Sequence, residues 1–372
     1  MIRSVERTYQ QYYSMITCYN IRRYISKIYD FNTVAAVKTP EVSVIVPVRN
    51  GSEYVHRIVD ILAGQTYSDF EVIFVACTES ADDSVGAVEL NMGRLSDSRI
   101  VLQEDAGGLG GAKNLGMDNA RGHSLWFLDV DDVPSPTFLS EMMSMKAQGA
   151  DIVICNFIYT RRPEPVRTGD GDYSAIEMDR LAAMRLRLKG RIPVTSWSML
   201  YDAGMVLNHG IRFPRGIAED IWFTCVAISC SSKICYLTKP LYAYIQNPGS
   251  ICNDRDMNDE RGASEIRRYD DLEVFFLDDA EMSRVFDRGS ALVRLRSSGH
   301  MSYVGFMGYA KGRECREMIR RNLSSPLSPE ALAYLCFPRL YYAAIRTFFL
   351  YYYREGRIYT RPEMRRMNGW TR

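Results

Sequence analysis

Apolar and polar positions along the chain fall into three textures. Between Met1 and Pro40, Val5, Tyr9, Tyr12, Ile16, Tyr24 and Ile28 recur at near-helical spacing, with Arg3, Arg7, Arg22, Arg23 and Lys27 between them. That pattern predicts an amphipathic helical extension over residues 1–40. From residue 41 to 252, short apolar runs alternate with helical periodicity. Val42 to Val46 is almost all apolar, as in a parallel strand covered on both faces. Phe70 to Ala76, Ile100 to Leu102, Leu125 to Leu128 and Asp151 to Ile158 read as further strands. Asn50 with Glu53 reads as an N-cap and capping box, opening a helix that turns Val55, Ile58 and Leu62 inward. Alternation of this kind predicts an α/β sheet with crossovers. Ligands on such sheets bind at the carboxyl ends of the strands, where Asn50, Cys77 and Asp129 fall. Residues 253–372 are charged and predicted mainly helical, ending in the aromatic and basic stretch Leu340 to Arg366.

Composition narrows the classes. The net charge is +1, which gives no reason to expect a nucleic-acid or polyanionic partner. Nine scattered cysteines without a CxxC pair, and an N-terminus that does not read as a signal peptide, point to a reduced cytoplasmic compartment. The four histidines, His56, His123, His209 and His300, lack zinc-ligand spacing. No apolar run reaches the roughly 18 residues that span a bilayer.

The segment Asp105 to Asp132, DAGGLGGAKNLGMDNARGHSLWFLDVDD, carries the most chemistry. Its glycines would let the backbone approach a ligand, and Lys113 supplies a cation. It is neither a Walker loop, since Ala112 and Asn114 replace the required residues, nor a GxGxxG loop. The strand after it empties into Asp129, Asp131 and Asp132. Carboxylates two apart on an extended segment share a side. Two hard oxygen ligands there suit Mg²⁺ or Mn²⁺ holding a substrate diphosphate. The same acids also read as the cap of a helix beginning near Pro136.

Five segments in order resemble glycosyltransferase family 2, the inverting GT-A enzymes. They are EVSVIVPVRNGSEYV (41–55), GGLGGAKNLGMDNARG (107–122), FLDVDD (127–132), IAEDIWF (217–223) and PLYAYIQNPGSI (240–251). The resemblance implies a GT-A fold over residues 41–252, with a mixed, mainly parallel sheet, flanking helices, and helical N- and C-terminal extensions. It implies an inverting, metal-dependent transfer of one sugar from a nucleotide-diphosphate sugar to a hydroxyl of a glycan or lipid-linked acceptor, in surface polysaccharide or glycoconjugate synthesis. Asp131 and Asp129 would hold Mn²⁺ or Mg²⁺, with Asp129 also leaning toward the ribose. Asp220 would be the general base, with its neighbour Glu219 the runner-up. Pro47, Arg49 and Asn50 would cradle base and ribose, and Lys113 would contact phosphate where relatives commonly have arginine.

Departures matter as well. Relatives usually follow the second strand with two aspartates, one reading a uracil edge; here stand Ala76-Cys77-Thr78-Glu79-Ser80, with Asp82 and Asp83 later. That weakens a UDP donor more than it weakens catalysis. The QxxRW motif of processive synthases is absent after Asp220, and Gln246 stands where a basic residue is common. Trp197 reads equally as an acceptor-pocket wall or a core residue. The terminal helices read either as packed elements or as a membrane-interface contact on the inner face of the cell membrane. Two other functions fit parts of the pattern: a degenerate GT-A partner protein, and a nucleotidyltransferase.

Overall fold

β1 (Val42–Val48) is buried along its whole length, because helices cover both faces of the sheet around it. Its alternate residues go opposite ways. Val44, Val46 and Val48 join one apolar cluster, and Ile45 joins another. The computed structural model describes residues 39–104, 107–166, 173–247, 258–312, 315, 317 and 329–352. The extension expected over residues 1–40 therefore lies, but for its last two residues, outside the described residues.

In chain order the elements are β1, α1 (Ser52–Ala63), β2 (Phe70–Cys77), α2 (Ser84–Met92), β3 (Ser98–Gln103), α3 (Gly108–Asp118), β4 (Ser124–Phe127), β5 (Val133–Pro134) and α4 (Phe138–Lys146). There follow β6 (Ile152–Thr160), β7 (Ala175–Met178), α5 (Arg180–Leu188), β8 (Met199–Asp202), α6 (Ala203–Asn208), α7 (Glu219–Cys230) and β9 (Ile234–Ile245). The chain then turns helical, with α8 (Asn258–Phe275), α9 (Ala280–Ser298), α10 (Tyr303–Lys311), α11 (Pro329–Cys336) and α12 (Pro338–Tyr352). Among the described residues, no helix is long and apolar enough to cross a membrane.

The strands form one mixed sheet ordered β3-β2-β1-β4-β8-β6-β9-β5, with β7 pairing a separate stretch of β9. β3, β2, β1 and β4 run parallel; β8 is antiparallel to both its neighbours. The order reverses at β1, and the region beyond the carboxyl ends of β1 and β4 is the usual ligand position on such sheets. Helices α1, α2 and α4 cover one face; α3, α5, α6 and α7 cover the other. Tyr269 and Leu272 of α8 and Met282 and Phe286 of α9 belong to that second cluster, so the first helices beyond the expected 252/253 boundary share the sheet's core.

The expected cap on α1 is corrected. Its N-cap is Gly51, with no side-chain cap. Asn50 is in the left-handed region at φ 51°, and its carboxamide oxygen accepts the Ala81 N–H at 2.7 Å. The Ser52 N–H is taken by Asp82 at 2.8 Å. Tertiary partners from the loop after β2 thus displace the local capping box.

At the amino ends of β1 and β2 lies a buried ion cluster. Glu71 accepts from Ser43 Oγ (2.6 Å), the Arg121 N–H (2.7 Å), Arg121 Nε (2.7 Å) and Arg99 Nη1 (2.7 Å). Burial alone would raise its carboxyl, but these bonds outweigh burial and hold it below the ordinary glutamate value. Its stabilisation is thus complete above the ordinary glutamate range and fades as pH falls through the lower folded value. Glu71→Ala is expected to cost about 2–3 kcal/mol, moderated because the arginines reach solvent. A urea midpoint unchanged at neutral pH would refute this.

Candidate active site

β4 ends at Phe127, and the next residues form a turn closed by the Asp132 N–H to the Asp129 carbonyl at 3.2 Å. Asp129 and Asp131 therefore sit on a β-turn, and strand alternation is not what places them. The three acids part company there. Asp132 is buried and accepts the Tyr242 hydroxyl at 2.9 Å and the Ile245 N–H at 2.7 Å, both from β9. Burial, with Asp131 and Asp129 close by, pushes its carboxyl well above the ordinary range. Asp131 accepts Asn247 Nδ2 on Oδ2 at 2.8 Å, and its carbonyl accepts Arg57 Nη2 at 2.6 Å. The end of β9 and α1 thus hold the turn from two sides. None of these carboxylates caps α4, whose N-cap is Thr137.

α3 brings in Lys113. Two of its glycines are required by the protein's own packing. A Cβ on Gly110 would stand 2.6 Å from the Pro214 carbonyl, and one on Gly116 would stand 2.3 Å from Ile45 Cγ2. The expected approach of a ligand is, at these two positions, an approach of neighbouring chain. Asn114 completes the clasp: it donates to the Phe213 carbonyl at 2.8 Å and accepts the Phe213 N–H at 2.9 Å. The segment leading to α7 is therefore fixed to α3.

That segment ends at Ala218, the N-cap of α7, in the left-handed region at φ 61°. A non-glycine residue there carries local strain, a feature that concentrates at functional sites. Asn50 and Ala218 are the only non-glycine residues with positive φ among the described residues, and each adjoins a predicted site segment. Glu219 and Asp220 open α7. Lys113 Nζ donates to Asp220 Oδ1 at 2.7 Å and to Glu219 Oε1 at 3.1 Å, and lies 4.9 Å from the Phe213 ring centre. Its side chain is 1% exposed. Burial pulls the ammonium down, yet Asp220, Glu219 and Asp129 outweigh it and hold it above the ordinary lysine value. Ser196 adds two bonds to Asp220, from Oγ to Oδ1 at 2.9 Å and from N–H to Oδ2 at 3.0 Å.

Asp129 feels this whole group. Burial, joined by Asp131, Asp220 and Glu219 and opposed by Lys113, raises its carboxyl to about 7. Ionised, the four carboxylates exceed the single ammonium, so a divalent cation would offset real charge. Among the described residues, no three His, Cys, Asp or Glu side chains are grouped as a protein-only metal cage. The donor set thus fits Mg²⁺ or Mn²⁺ sharing its shell with diphosphate and water, rather than a structural zinc.

The remaining predicted residues lie at the carboxyl end of β1. Pro47 is buried in the strand opposite Val75, Arg49 is exposed, and Asn50 clasps the loop after β2. Asp83 is spent on capping α2, through the Gly86 N–H at 3.1 Å; Glu79 is exposed in the turn after β2. Trp197 is a core residue, stacked on Tyr242 with centroids 4.3 Å apart. Ser196, Asn114 and Asn247 were missed as site residues. Asn114 lies inside the quoted AKN motif, Ser196 beside the singled-out Trp197, and Asn247 beside Gln246.

Residues 43–200 match the family described as Glycosyl transferase family 2. EpsH of Bacillus subtilis is 29% identical over 221 residues, covering 58% of this chain and 63% of EpsH. The glycosyltransferase GlyA of Streptococcus pneumoniae is 26% identical over 222 residues, covering 57% of this chain and 31% of GlyA. The chain thus aligns with less than two thirds of the length of these relatives. Residues 1–349 of S. aureus TarS, solved in complex with UDP-GlcNAc, superpose with a TM-score of 0.59 at 20% identity, covering 82% of this chain and 87% of that one. That likeness is one of fold.

Proposed function

We propose that this chain, whose residues 43–200 match glycosyltransferase family 2, is an inverting, metal-dependent glycosyltransferase. It would move one sugar from a nucleotide-diphosphate sugar to a hydroxyl of a glycan or lipid-linked acceptor, in surface polysaccharide or glycoconjugate synthesis, with residues 41–252 as the catalytic unit. The observation carrying the proposal is the 2.7 Å contact between Lys113 and Asp220. It joins α3 to the start of α7 in one charged group, whose field also acts on Asp129. The family match stops at residue 200, so geometry is what supports a role for Asp220.

Asp220 is assigned as general base. Inversion is a single displacement, in which the acceptor hydroxyl must lose its proton as it attacks the anomeric carbon opposite the leaving group. Ser196 and Lys113 fix the carboxylate's orientation for that contact. Asp129 and Asp131 would hold Mg²⁺ or Mn²⁺, which when bound stabilises the charge developing on the nucleotide diphosphate. Asn247 orients Asp131 by occupying Oδ2. An ammonium has three donors; two of those on Lys113 meet Asp220 and Glu219, and the third suits a phosphate oxygen. Pro47, Arg49 and Asn50 are assigned to base and ribose. A nucleotidyltransferase, or a degenerate partner protein, would have no use for an oriented carboxylate beside the metal turn.

The direct test is hydrolysis of, and metal-dependent binding to, a panel of UDP, GDP, CDP and dTDP sugars. One donor should be hydrolysed slowly; a folded protein that binds none of them refutes the proposal. Asp131→Ala is expected to weaken Mn²⁺-dependent nucleotide binding at least about tenfold by calorimetry, as for loss of a coordinating group. Unchanged affinity would remove Asp131 from the metal site.

A further inference from the structure

We propose that the outer face of α12 docks this protein on an anionic lipid bilayer. The helix has two faces with different occupants. Its inner face is already used: Tyr341 is 7% exposed and packs with Ile345, Phe306, Tyr334 and Leu295 in a cluster made by the C-terminal helices themselves. Tyr342 donates its hydroxyl to the Met301 carbonyl at 3.2 Å.

The outer face is apolar and basic. Leu340 is 70% exposed and Phe337, just before the helix, 61%. Arg339, Ala343, Ala344, Arg346 and Thr347 are exposed as well. At 3.6 residues per turn, Leu340, Ala343 and Thr347 form the middle of this face, with Arg339 and Arg346 along one flank and Phe337 along the other. Among the described residues of α12, none is acidic.

Charge identifies the occupant. Residues 338–372 carry eight arginines against two glutamates, while the whole chain has a net charge of only +1. This end of the sequence thus carries a net +6, against −5 for the remainder of the chain. Exposed Leu and Phe beside Arg is the composition that lies in a bilayer interface, with guanidinium groups on lipid phosphates and apolar side chains at the acyl boundary. A second copy fits poorly, because a two-fold contact sets this patch against itself and brings arginines onto arginines with no acid between them. The docking is separate from the sugar-transfer reading and would hold whatever reaction the sheet supports.

The test is co-sedimentation of the full chain with phosphatidylcholine vesicles, with and without phosphatidylglycerol. The protein should bind only the anionic vesicles, and binding should weaken as salt rises. Arg339→Glu with Arg346→Glu should reduce vesicle affinity at least about tenfold, leaving nucleotide affinity and thermal midpoint unchanged. Arg339→Gln with Arg346→Gln serves if the reversal unfolds the protein, and should weaken binding less but measurably. Equal binding to neutral vesicles, or wild-type affinity in the folded double variant, overturns the proposal. So does a dimer, seen by analytical ultracentrifugation, that Leu340→Asn converts to monomer.

Discussion

Asp220→Asn should lower kcat by about three orders of magnitude and leave metal-dependent nucleotide affinity within about twofold, because removing a general base forfeits its share of proton transfer and not the donor's contacts. The substitution keeps the side chain's shape but exchanges one acceptor for a donor. In the wild type both oxygens accept: Oδ1 from Lys113 and Ser196 Oγ, Oδ2 from the Ser196 N–H. An amide can serve one of these edges; its NH₂ then faces a donor on the other. A stability loss of about 1–2 kcal/mol should accompany the kinetic loss. The two readouts separate the roles. A fall in nucleotide affinity as large as the fall in kcat would show that Asp220 belongs to the donor site, and the base would have to be sought elsewhere. A kcat that survives in the asparagine variant would refute the assignment outright.

What the sequence disclosed, and what it hid, follows from how far each residue's partners lie along the chain. β1 was legible because burial on both faces demands an unbroken apolar run, and VSVIVPV supplies one. The inward residues of α1 were legible for the same local reason: Val55, Ile58 and Leu62 repeat at helical spacing and are buried. The cap of that helix was not. Asn50 and Glu53 satisfy a local rule, but Ala81 and Asp82 lie some thirty residues away and win the competition for the same groups. The acid turn failed in a related way. Its composition marked it, yet the expectation of shared orientation assumed a strand where the backbone bends, and the separate fate of Asp132 depends on Tyr242 and Ile245 over a hundred residues on. Lys113 stood out as a cation after glycines. That its charge is spent on Asp220 and Glu219 could not be inferred from spacing, since the fold alone decides which carboxylates meet it. For α12 the amphipathic pattern was plain, but sequence presented its two readings as rivals. The structure assigns the packing to one face, through Tyr341 and Ile345, and leaves the arginines on the other.

Lys113→Met is the substitution expected to harm both folding and turnover. The methionine fills much of the same volume, so the change isolates the charge. Without the ammonium, Glu219 and Asp220 face each other at the start of α7, both mostly buried, with Asp129 nearby. Breaking such a pair by deleting one partner costs about 3–5 kcal/mol; the low end applies, because the carboxylates retain some access to water and the positive end of the α7 dipole still faces them. A drop in thermal midpoint of several degrees should follow. The wild-type ammonium is held above the ordinary lysine value, so its stabilisation is complete below that value and is lost only as pH rises through the higher folded one. The wild-type advantage over the variant should therefore be undiminished across neutral pH. Turnover should fall about a hundredfold, because Asp220 keeps its Ser196 bonds but loses the cation that fixes Oδ1. Nucleotide affinity distinguishes the two uses of the lysine. If its third donor meets a phosphate, affinity should fall by about tenfold in the same variant; if the lysine serves the base alone, affinity should hold while kcat falls. A Lys113→Met protein with wild-type stability would show that the carboxylates do not need the ammonium, and the charged group at this site would have to be redrawn around a different cation.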